Sequence, residues 1–399
     1  MVSLENVLPG IVDAHLLQWN PRQTPWRAKG LARVQRLTPR LGDRAFTLLV
    51  SQSDREYVLT PSVIARAYET EHYVSDIAGV PVVAGVPIDT VILADSHWRA
   101  YAGDIDMIPD VEAEELSETR YALGLPFGRD GAPRLGGLIV HGDPRSPDFA
   151  TQLDRQLDIT PLVRGIRVLA ARHPDPRVRD STPDESLLSS PAALRGFGEA
   201  VRRGLVVEVF AYSHQLYDAI SVAREYPQAT VVVDHIGAPV GVFGPMGVRT
   251  GNTAAARADI MRLWRERVVS LAAQPNIVMK LSGLAMPILG YGHDARGNIG
   301  SRKTLAEMIG PLVGHLVSHF GSERLIFGSN FPLDRPNATM GMLVGALLDV
   351  LAPWGDDLMR KVFRDNALRV YGVDDTPDGL VSPSRPLCPR GPRGPAAAG

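Results

Sequence analysis

Short apolar runs rich in β-branched residues recur along the chain, and each ends in polar or small residues. Continuous apolar runs are typical of strands that are buried on both faces, as in a parallel sheet. Between them, apolar residues recur three and four positions apart, which predicts amphipathic helices. The predicted strands are 10–15, 82–93, 135–141, 163–169, 205–211, 230–235, 276–282 and 324–330. Examples of the predicted helices are 190–203, 215–226, 255–273 and 301–320, the first with Pro191 after a serine cap.

The alternation of eight strands with helices predicts an α/β fold, specifically a closed (β/α)8 or TIM barrel. An open doubly wound sheet normally carries a glycine-rich phosphate turn after its first strand. Here that turn reads DAHLLQWNP and contains no glycine. The closed barrel is therefore the better prediction.

Two segments depart from a plain barrel. Residues 21–75 are long for one crossover and carry helical patterns of their own, so we expect an inserted cap over the barrel mouth. From residue 374 the sequence has no apolar periodicity, which predicts a disordered tail. The expected organisation is one barrel domain over 1–373, containing the cap at 21–75, and a tail over 374–399.

Composition narrows the classes of function. The 399 residues are 45% hydrophobic and 22% charged, with a net charge of −2, which suits a large buried core. No basic stripe or charged amphipathic face is present, so we expect neither nucleic acid nor a membrane as a partner. The sole cysteine, Cys388, cannot form an internal disulfide, and MVSLENVLPG lacks a signal-peptide pattern. We expect a cytoplasmic protein that binds a small-molecule substrate, with a homo-oligomer as a possible state.

Polar residues stand at the predicted strand ends, where a (β/α)8 barrel places its catalytic groups. They are Asp13, His15, Asp89, His141, Arg167, Ser213, His214, Asp234, His235, Lys280, Ser282 and Asn330. A single histidine at a strand end is more often structural, but four of the ten histidines fall there. That convergence predicts a common site on one rim. The other six are interpreted as surface or packing residues: His72, His97, His173, His293, His315 and His319.

The string IVDAHLLQWNP resembles the first-strand signature of the amidohydrolase superfamily, whose usual form is DxHxH. The strings SETRYAL, RGIRVL with HPDP, SHQL, VVVDHIGAP, KLSGL and FGSNFPLD follow in the order of the amidohydrolase-related branch. That branch contains sugar-lactone and pyrone-dicarboxylate lactonases. The matching strings span residues 11 to 334, so the resemblance covers the whole barrel.

The resemblance implies roles for individual residues. His15 is similar to the first histidine of the family's paired metal ligands, His214 to the fifth-strand ligand and His235 to the sixth-strand histidine. Arg167 matches the arginine of the GxR string. A guanidinium can pair with a carboxylate through two parallel hydrogen bonds, so we expect Arg167 to bind an anionic group of the substrate.

Two positions depart from the family pattern. Leu17 stands where the second histidine of the HxH pair is expected, and Asn330 replaces the eighth-strand aspartate that binds metal and water in metal-dependent relatives. We therefore expect a reaction without a metal or other cofactor. If a metal is present, the expected site is a zinc ion on His15, His214 and His235.

Without the aspartate, proton transfer must fall on histidine, and His214 and His235 are the candidate bases. Asp234 either orients them or satisfies backbone donors of its loop. Asn330 is expected to donate a hydrogen bond to a developing oxyanion.

The remaining candidates would contact substrate. Lys280 and Ser282 face the same side of their strand and could bind an oxyanion or a carboxylate. Alternatively, Lys280 forms a buried ion pair with a carboxylate of a neighbouring strand. His141 is a further candidate at the rim. Trp19 or Trp26 either lines the pocket or packs the cap on the barrel.

The leading hypothesis is a hydrolase that opens a lactone or related cyclic ester of a small, anionic metabolite. The alternative keeps the fold but changes the class, to a lyase, decarboxylase or cyclase that acts on a specialised metabolite. A third hypothesis, a barrel that only binds a ligand, gives no physical reason to retain three histidines and Arg167.

Overall fold

The computed structural model describes residues 3–24, 29–96, 111–291 and 299–375, without the side chains of 29 and 111–115. Eight parallel strands form one sheet in sequential order. This confirms the predicted α/β barrel. The strands are β1 (Ile11–Leu16), β2 (Ile88–Ala94), β3 (Arg134–His141), β4 (Val163–Leu169), β5 (Val206–Phe210), β6 (Val231–Val233), β7 (Ile277–Leu281) and β8 (Leu325–Phe327).

The residues that follow β8 close the sheet against β1. The backbone N–H of Asn330 donates to the carbonyl of His15 at 2.8 Å, and that of Leu17 donates to Phe331 at 3.0 Å. A Cβ on Gly328 would lie 2.6 Å from the Cβ of His15, so only glycine permits this approach. Barrel closure thus places Asn330 beside the end of β1.

Helices surround the sheet. Polar residues at helix starts commonly cap the first turn, and several of the described helices begin in this way. Ser190, Thr253, Ser301 and Thr339 each accept a hydrogen bond from the backbone N–H three residues later. The helices are α1 (Lys29–Leu37), α2 (Pro39–Leu49), α3 (Gln52–Val58), α4 (Pro61–Ala65), α5 (Thr70–Ile77), α6 (Val80–Ala84), α7 (Val111–Gly124), α8 (Phe149–Ile159), α9 (Pro191–Arg202), α10 (Leu216–Glu225), α11 (Ala254–Ala272), α12 (Arg302–Phe320), α13 (Met340–Leu351), α14 (Asp356–Arg360) and α15 (Asn366–Tyr371). None of those described is long and apolar enough to cross a membrane.

Six helices, α1 to α6, lie between β1 and β2, where the sequence predicted a cap over 21–75. Helix α3 reaches the loops that follow β4 and β6. Arg179 pairs with Asp54 at 2.9 Å, and the N–H of Gly247 donates to Glu56 at 2.9 Å. This helix therefore contacts the end of the barrel from which the catalytic groups of such folds project. The predicted strand 82–93 began too early, because its first residues belong to α6.

The chain after β8 packs on the opposite end of the barrel. The guanidinium of Arg364 donates to the carbonyl of Gly10 and to Asp89, near the starts of β1 and β2. Asp89 was predicted at the catalytic rim, and this placement is wrong because it lies in the first half of β2. Tyr371, at the end of α15, shares the apolar interior of the barrel with Val12 and Val232. Of the predicted tail over 374–399, residues 376–399 lie outside the described part of the chain.

Candidate active site

His15 is fully buried at the end of β1, and its two ring nitrogens have different surroundings. Nδ1 lies 3.1 Å from the Nζ of Lys280. An ammonium group can only donate, so Nδ1 must accept and the ring hydrogen must sit on Nε2. Nε2 is buried and has no hydrogen-bond partner among the described residues. His15 therefore offers an N–H donor that is free to bind a substrate atom.

His235 follows β6, and its neighbours also fix its tautomer. Nε2 lies 3.3 Å from Nη2 of Arg167, which can only donate, so this nitrogen carries the lone pair. Nδ1 then carries the hydrogen and donates to the hydroxyl of Ser282 at 2.9 Å. The rings of His15 and His235 meet edge to face with centroids 4.7 Å apart.

Both histidines are held neutral. Burial is the main cause that lowers the pKa of His15 well below its usual value, and the Lys280 ammonium adds to it. Burial likewise lowers the pKa of His235, although Asp234 opposes the shift. The site consequently pairs one neutral imidazole that donates with one that accepts.

The turn that carries His235 has an unusual backbone. His235 and Ile236 both adopt left-handed conformations, with φ of 54° and 53°. Such conformations cost about 1–3 kcal/mol per non-glycine residue, and persist only where surrounding contacts enforce them. Here the hydroxyl of Ser282 accepts from the backbone N–H of His235 at 3.2 Å, and Trp264 donates to the carbonyl of Ile236 at 2.7 Å.

Two buried ion pairs surround the histidines. Lys280 lies 2.7 Å from Oε1 of Glu208, and Arg167 lies 2.8 Å from Oδ2 of Asp234. The hydroxyl of Tyr371 donates to the second oxygen of Glu208 at 2.9 Å. Lys280 thus forms the buried ion pair that was one of its two predicted roles, although its partner lies on β5, two strands away. A glutamate within the apolar strand sequence VVEVF is costly to bury without a partner. Its presence there is the signal in the sequence that could have revealed Glu208.

The side chains of Arg167 and Ser282 are both hydrogen-bonded to other residues of the site. The three donor groups of Arg167 face Asp234, the carbonyl of Asp95 at 3.3 Å and His235. The Ser282 hydroxyl is engaged by His235 twice. Both residues therefore position His235, and an anionic substrate group would have to compete with Asp234 for Arg167.

Asn330 also lies at the site, in a left-handed conformation with φ of 56°. Its side-chain amide donates to Asp334 at 2.7 Å, while its side-chain oxygen is buried without a partner among the described residues. Asn330 was predicted to donate to an oxyanion. Its amide nitrogen already donates one hydrogen to Asp334, and its side-chain oxygen offers an acceptor as well. Asp334 also accepts from the N–H of Ala285 at 2.8 Å, and burial raises its pKa to about 7.

Three predicted residues lie apart from this centre. His214 sits in a short turn after β5 and packs against His173, with centroids 5.2 Å apart. His141, at the end of β3, lies 3.4 Å from Asp95. Trp19 is buried and donates to the carbonyl of Arg66 at 3.2 Å, which is a contact to the inserted segment. Trp26 lies outside the described residues.

The comparisons with known proteins agree with this fold. A family model described as amidohydrolase matches residues 127–373, which is more than half of the chain. The chain therefore belongs to the amidohydrolase family, and it is a lactonase-like enzyme of that superfamily, as its motifs predicted.

Individual relatives are distant. An L-fucono-1,5-lactonase from Burkholderia ambifaria is 26% identical over 266 residues, which cover 64% of this chain and 76% of that protein. The protein y4mH from Sinorhizobium fredii is 27% identical over 256 residues, with 64% and 75% covered.

Solved structures show the same fold at lower identity. A zinc-bound amidohydrolase from Burkholderia multivorans has a TM-score of 0.60 at 18% identity, covering 92% of this chain and 100% of that one. A putative 2-pyrone-4,6-dicarboxylic acid hydrolase from Pseudomonas putida has a TM-score of 0.53 at 14% identity, covering 92% and 98%.

Zinc in a relative raises the question of whether these residues fit a metal. Among the described residues, ligand atoms of His15, Asp234 and His235 lie within 4.8 Å of one another. The predicted zinc set is thus corrected, since His214 is not part of this group. Two cationic side chains already contact this group of ligand atoms. Lys280 lies 3.8 Å from Asp234, and Arg167 contacts both Asp234 and His235. A divalent ion would have to displace both, so the arrangement does not fit zinc.

Proposed function

We propose that this enzyme hydrolyses a lactone or a related cyclic ester and needs no metal ion. The observation that carries the proposal is the Nε2–H of His15, which is buried, has no partner among the described residues, and lies beside the neutral ring of His235. A preorganised donor of this kind stabilises the negative charge that develops on a carbonyl oxygen during acyl transfer. Similarity to a lactonase supports the choice of an ester ring as the substrate.

In the proposed reaction, a water oxygen attacks the ring carbonyl carbon while Nε2–H of His15 donates to the carbonyl oxygen. Nε2 of His235 accepts the proton that the water loses, and gives up its weak 3.3 Å contact with Arg167. The ring C–O bond then breaks, and the leaving oxygen takes that proton from His235. The products are the ring-opened hydroxy acid and the restored histidine.

Neighbouring groups support each role. Asp234 faces the imidazolium that forms on His235 and stabilises it by charge. Arg167 retains its hydrogen bonds to Asp234 and Asp95 when it releases His235. The side-chain oxygen of Asn330, which no group in the described part of the chain contacts by a hydrogen bond, can accept a hydrogen bond from the attacking water and orient it.

The proposal is tested by assaying a panel of 1,5-lactones with the wild-type enzyme and with the His15→Asn variant. Asparagine cannot place an N–H at the Nε2 position, so we expect kcat/KM to fall by about a hundredfold or more. His319→Asn, a change of a histidine on α12, is the matched control and should retain full activity. If His15→Asn opens lactones at the wild-type rate, His15 is not the oxyanion donor.

Metal content is tested separately. Exhaustive treatment with a chelator should leave turnover unchanged, and elemental analysis should find far less than one zinc per chain, because Lys280 and Arg167 occupy the ligand group. Stoichiometric zinc together with activity that chelation removes would overturn the metal-free mechanism.

A further inference from the structure

A large cleft opens in the inserted segment between β1 and β2. Its volume is about 660 Å³, and it lies between the residues that follow β1, helix α1, and the stretch from the end of α4 to the start of α5. None of the described residues that line it belongs to the catalytic centre. A cleft of this size suits an organic ligand, since small-molecule sites measure about 300–1,000 Å³.

Four arginines line the cleft: Arg22, Arg33, Arg36 and Arg66. All four are exposed, and none forms an ion pair or a side-chain hydrogen bond within the part of the chain that the structure describes. Arg33 and Arg36 are three residues apart on α1, so both project from one face of that helix. Four like charges around one cleft repel one another and attract anions.

The two carboxylates that line the cleft, Glu69 and Glu71, are engaged by other groups. The side-chain oxygens of Glu69 accept hydrogen bonds from the amide of Asn20 at 3.0 Å and from the hydroxyl of Tyr121 at 2.8 Å. Glu71 is exposed and lies 3.7 Å from Nδ1 of His72. The positive charge of the arginines is therefore available to a ligand.

The charge of the inserted segment points in the same direction. Residues 21–75 contain nine basic and five acidic residues, a net charge of +4, whereas the whole chain has a net charge of −2. The remainder of the protein is thus acidic, and positive charge is concentrated in the segment that forms the cleft. A distribution of this kind draws anionic ligands to one place on the surface.

The walls of the cleft are fixed to one another. The backbone groups of Trp19 and Tyr68 bond to each other in both directions, at 3.1 and 2.8 Å, and the indole of Trp19 donates to the carbonyl of Arg66 at 3.2 Å. Gly42 lets α2 approach α1 closely, because a Cβ there would lie 2.6 Å from the Cα of Gln35. The cleft is therefore built into the fold, and a ligand has mainly the arginine side chains to order.

We infer that this cleft binds an organic diphosphate, such as a nucleoside diphosphate. A planar guanidinium pairs with phosphate oxygens through two parallel hydrogen bonds. A phosphate group carries up to roughly two negative charges, so two of them balance four arginines better than two carboxylates do. The volume leaves room for the organic part of the ligand. The inference does not depend on the proposed lactone hydrolysis.

Calorimetric titration in magnesium-free buffer tests the site with ADP, adenosine, pyrophosphate and citrate. We expect ADP to bind the wild-type protein and adenosine, which lacks phosphate, to give no detectable binding. The double variant Arg33→Gln, Arg36→Gln should bind ADP about tenfold more weakly or worse, because it loses two charge-assisted contacts. The double variant Arg40→Gln, Arg44→Gln is the matched control: it removes two exposed charges from α2 outside the cleft and should keep the wild-type affinity.

Several results would overturn the inference. They are absence of ADP binding to the wild type, equal ADP affinity of the wild type and the cleft variant, and an equal loss in both double variants, which would reflect net charge alone. Citrate that binds as tightly as ADP would overturn the assignment to phosphate. Pyrophosphate that binds as tightly as ADP would overturn the claim that the cleft holds an organic group. All substituted arginines are exposed, so both variants should fold as the wild type does, and thermal unfolding verifies this.

Discussion

Replacing Asp334 with asparagine tests the electrostatics of the site through folding stability. Asp334 is fully buried between Asn330 and the N–H of Ala285, with Asp13 adding a second negative charge nearby and Tyr291 also facing it. Burial is the main reason why its pKa rises from 3.8 to about 7. The carboxyl group therefore keeps its proton in the folded enzyme at pH values where the unfolded chain has released it.

The sign and size of the effect follow from this difference. Between about pH 4 and 7 the folded state binds more protons than the unfolded state at this position, so ionisation of Asp334 makes the free energy of unfolding fall as pH rises. One pKa unit corresponds to about 1.36 kcal/mol, which gives roughly 4 kcal/mol over the whole window. Asp334→Asn cannot ionise, and this part of the pH dependence should disappear.

The assay is urea unfolding of both proteins at a series of pH values from 4 to 8. We expect the stability of Asp334→Asn relative to the wild type to rise by roughly 4 kcal/mol across the series. Asp158→Asn removes an exposed carboxylate and controls for net charge. Parallel curves for the wild type and Asp334→Asn would show that the buried carboxyl group has an ordinary pKa, and would refute the reasoning.

Two further changes address the catalytic centre. Lys280→Met leaves Glu208 as an uncompensated buried charge, so the free energy of unfolding measured in urea should fall by roughly 3–5 kcal/mol. The double variant Lys280→Met, Glu208→Gln should recover much of that stability without recovering activity. Equal stability of the single and double variants would contradict the ion pair. Since burial lowers the pKa of His235, the acid limb of kcat/KM should lie well below the usual histidine pKa of about 6.5. A limb at that usual pKa would exclude neutral, buried His235 as the base.

The fold was largely predictable, because seven of the eight predicted strands are apolar runs flanked by polar residues. The exception is 82–93, which was started too early. The residues VPVVAGVP are apolar throughout, and such a run is compatible with either a strand or a short helix. Periodicity cannot separate the two in so short a run. Gly85, with φ of 79°, ends α6, and Pro87 follows before β2 begins. These two residues were the available signal.

The site was predictable only in part. His15 lies near the end of β1 and His235 two residues after the end of β6, as the rule that catalytic groups stand at strand ends predicts. His214 comes four residues after the end of β5, and the intervening turn carries it towards His173. Glu208 was missed because it lies inside a strand and not at its end. Strand-end position alone therefore identifies the rim but not the groups that reach it from elsewhere.

The contact between Tyr371 and Glu208 also bears on how the enzyme is made. The two residues are 163 positions apart, so the hydroxyl leaves the ribosome long after the carboxylate it stabilises. Until α15 docks, Glu208 and Lys280 lack their aromatic neighbour, and the open end of the barrel exposes its interior to water. We therefore expect a nascent chain stopped before residue 366 to remain inactive and dependent on chaperones, even though every residue of the catalytic centre has already been synthesised.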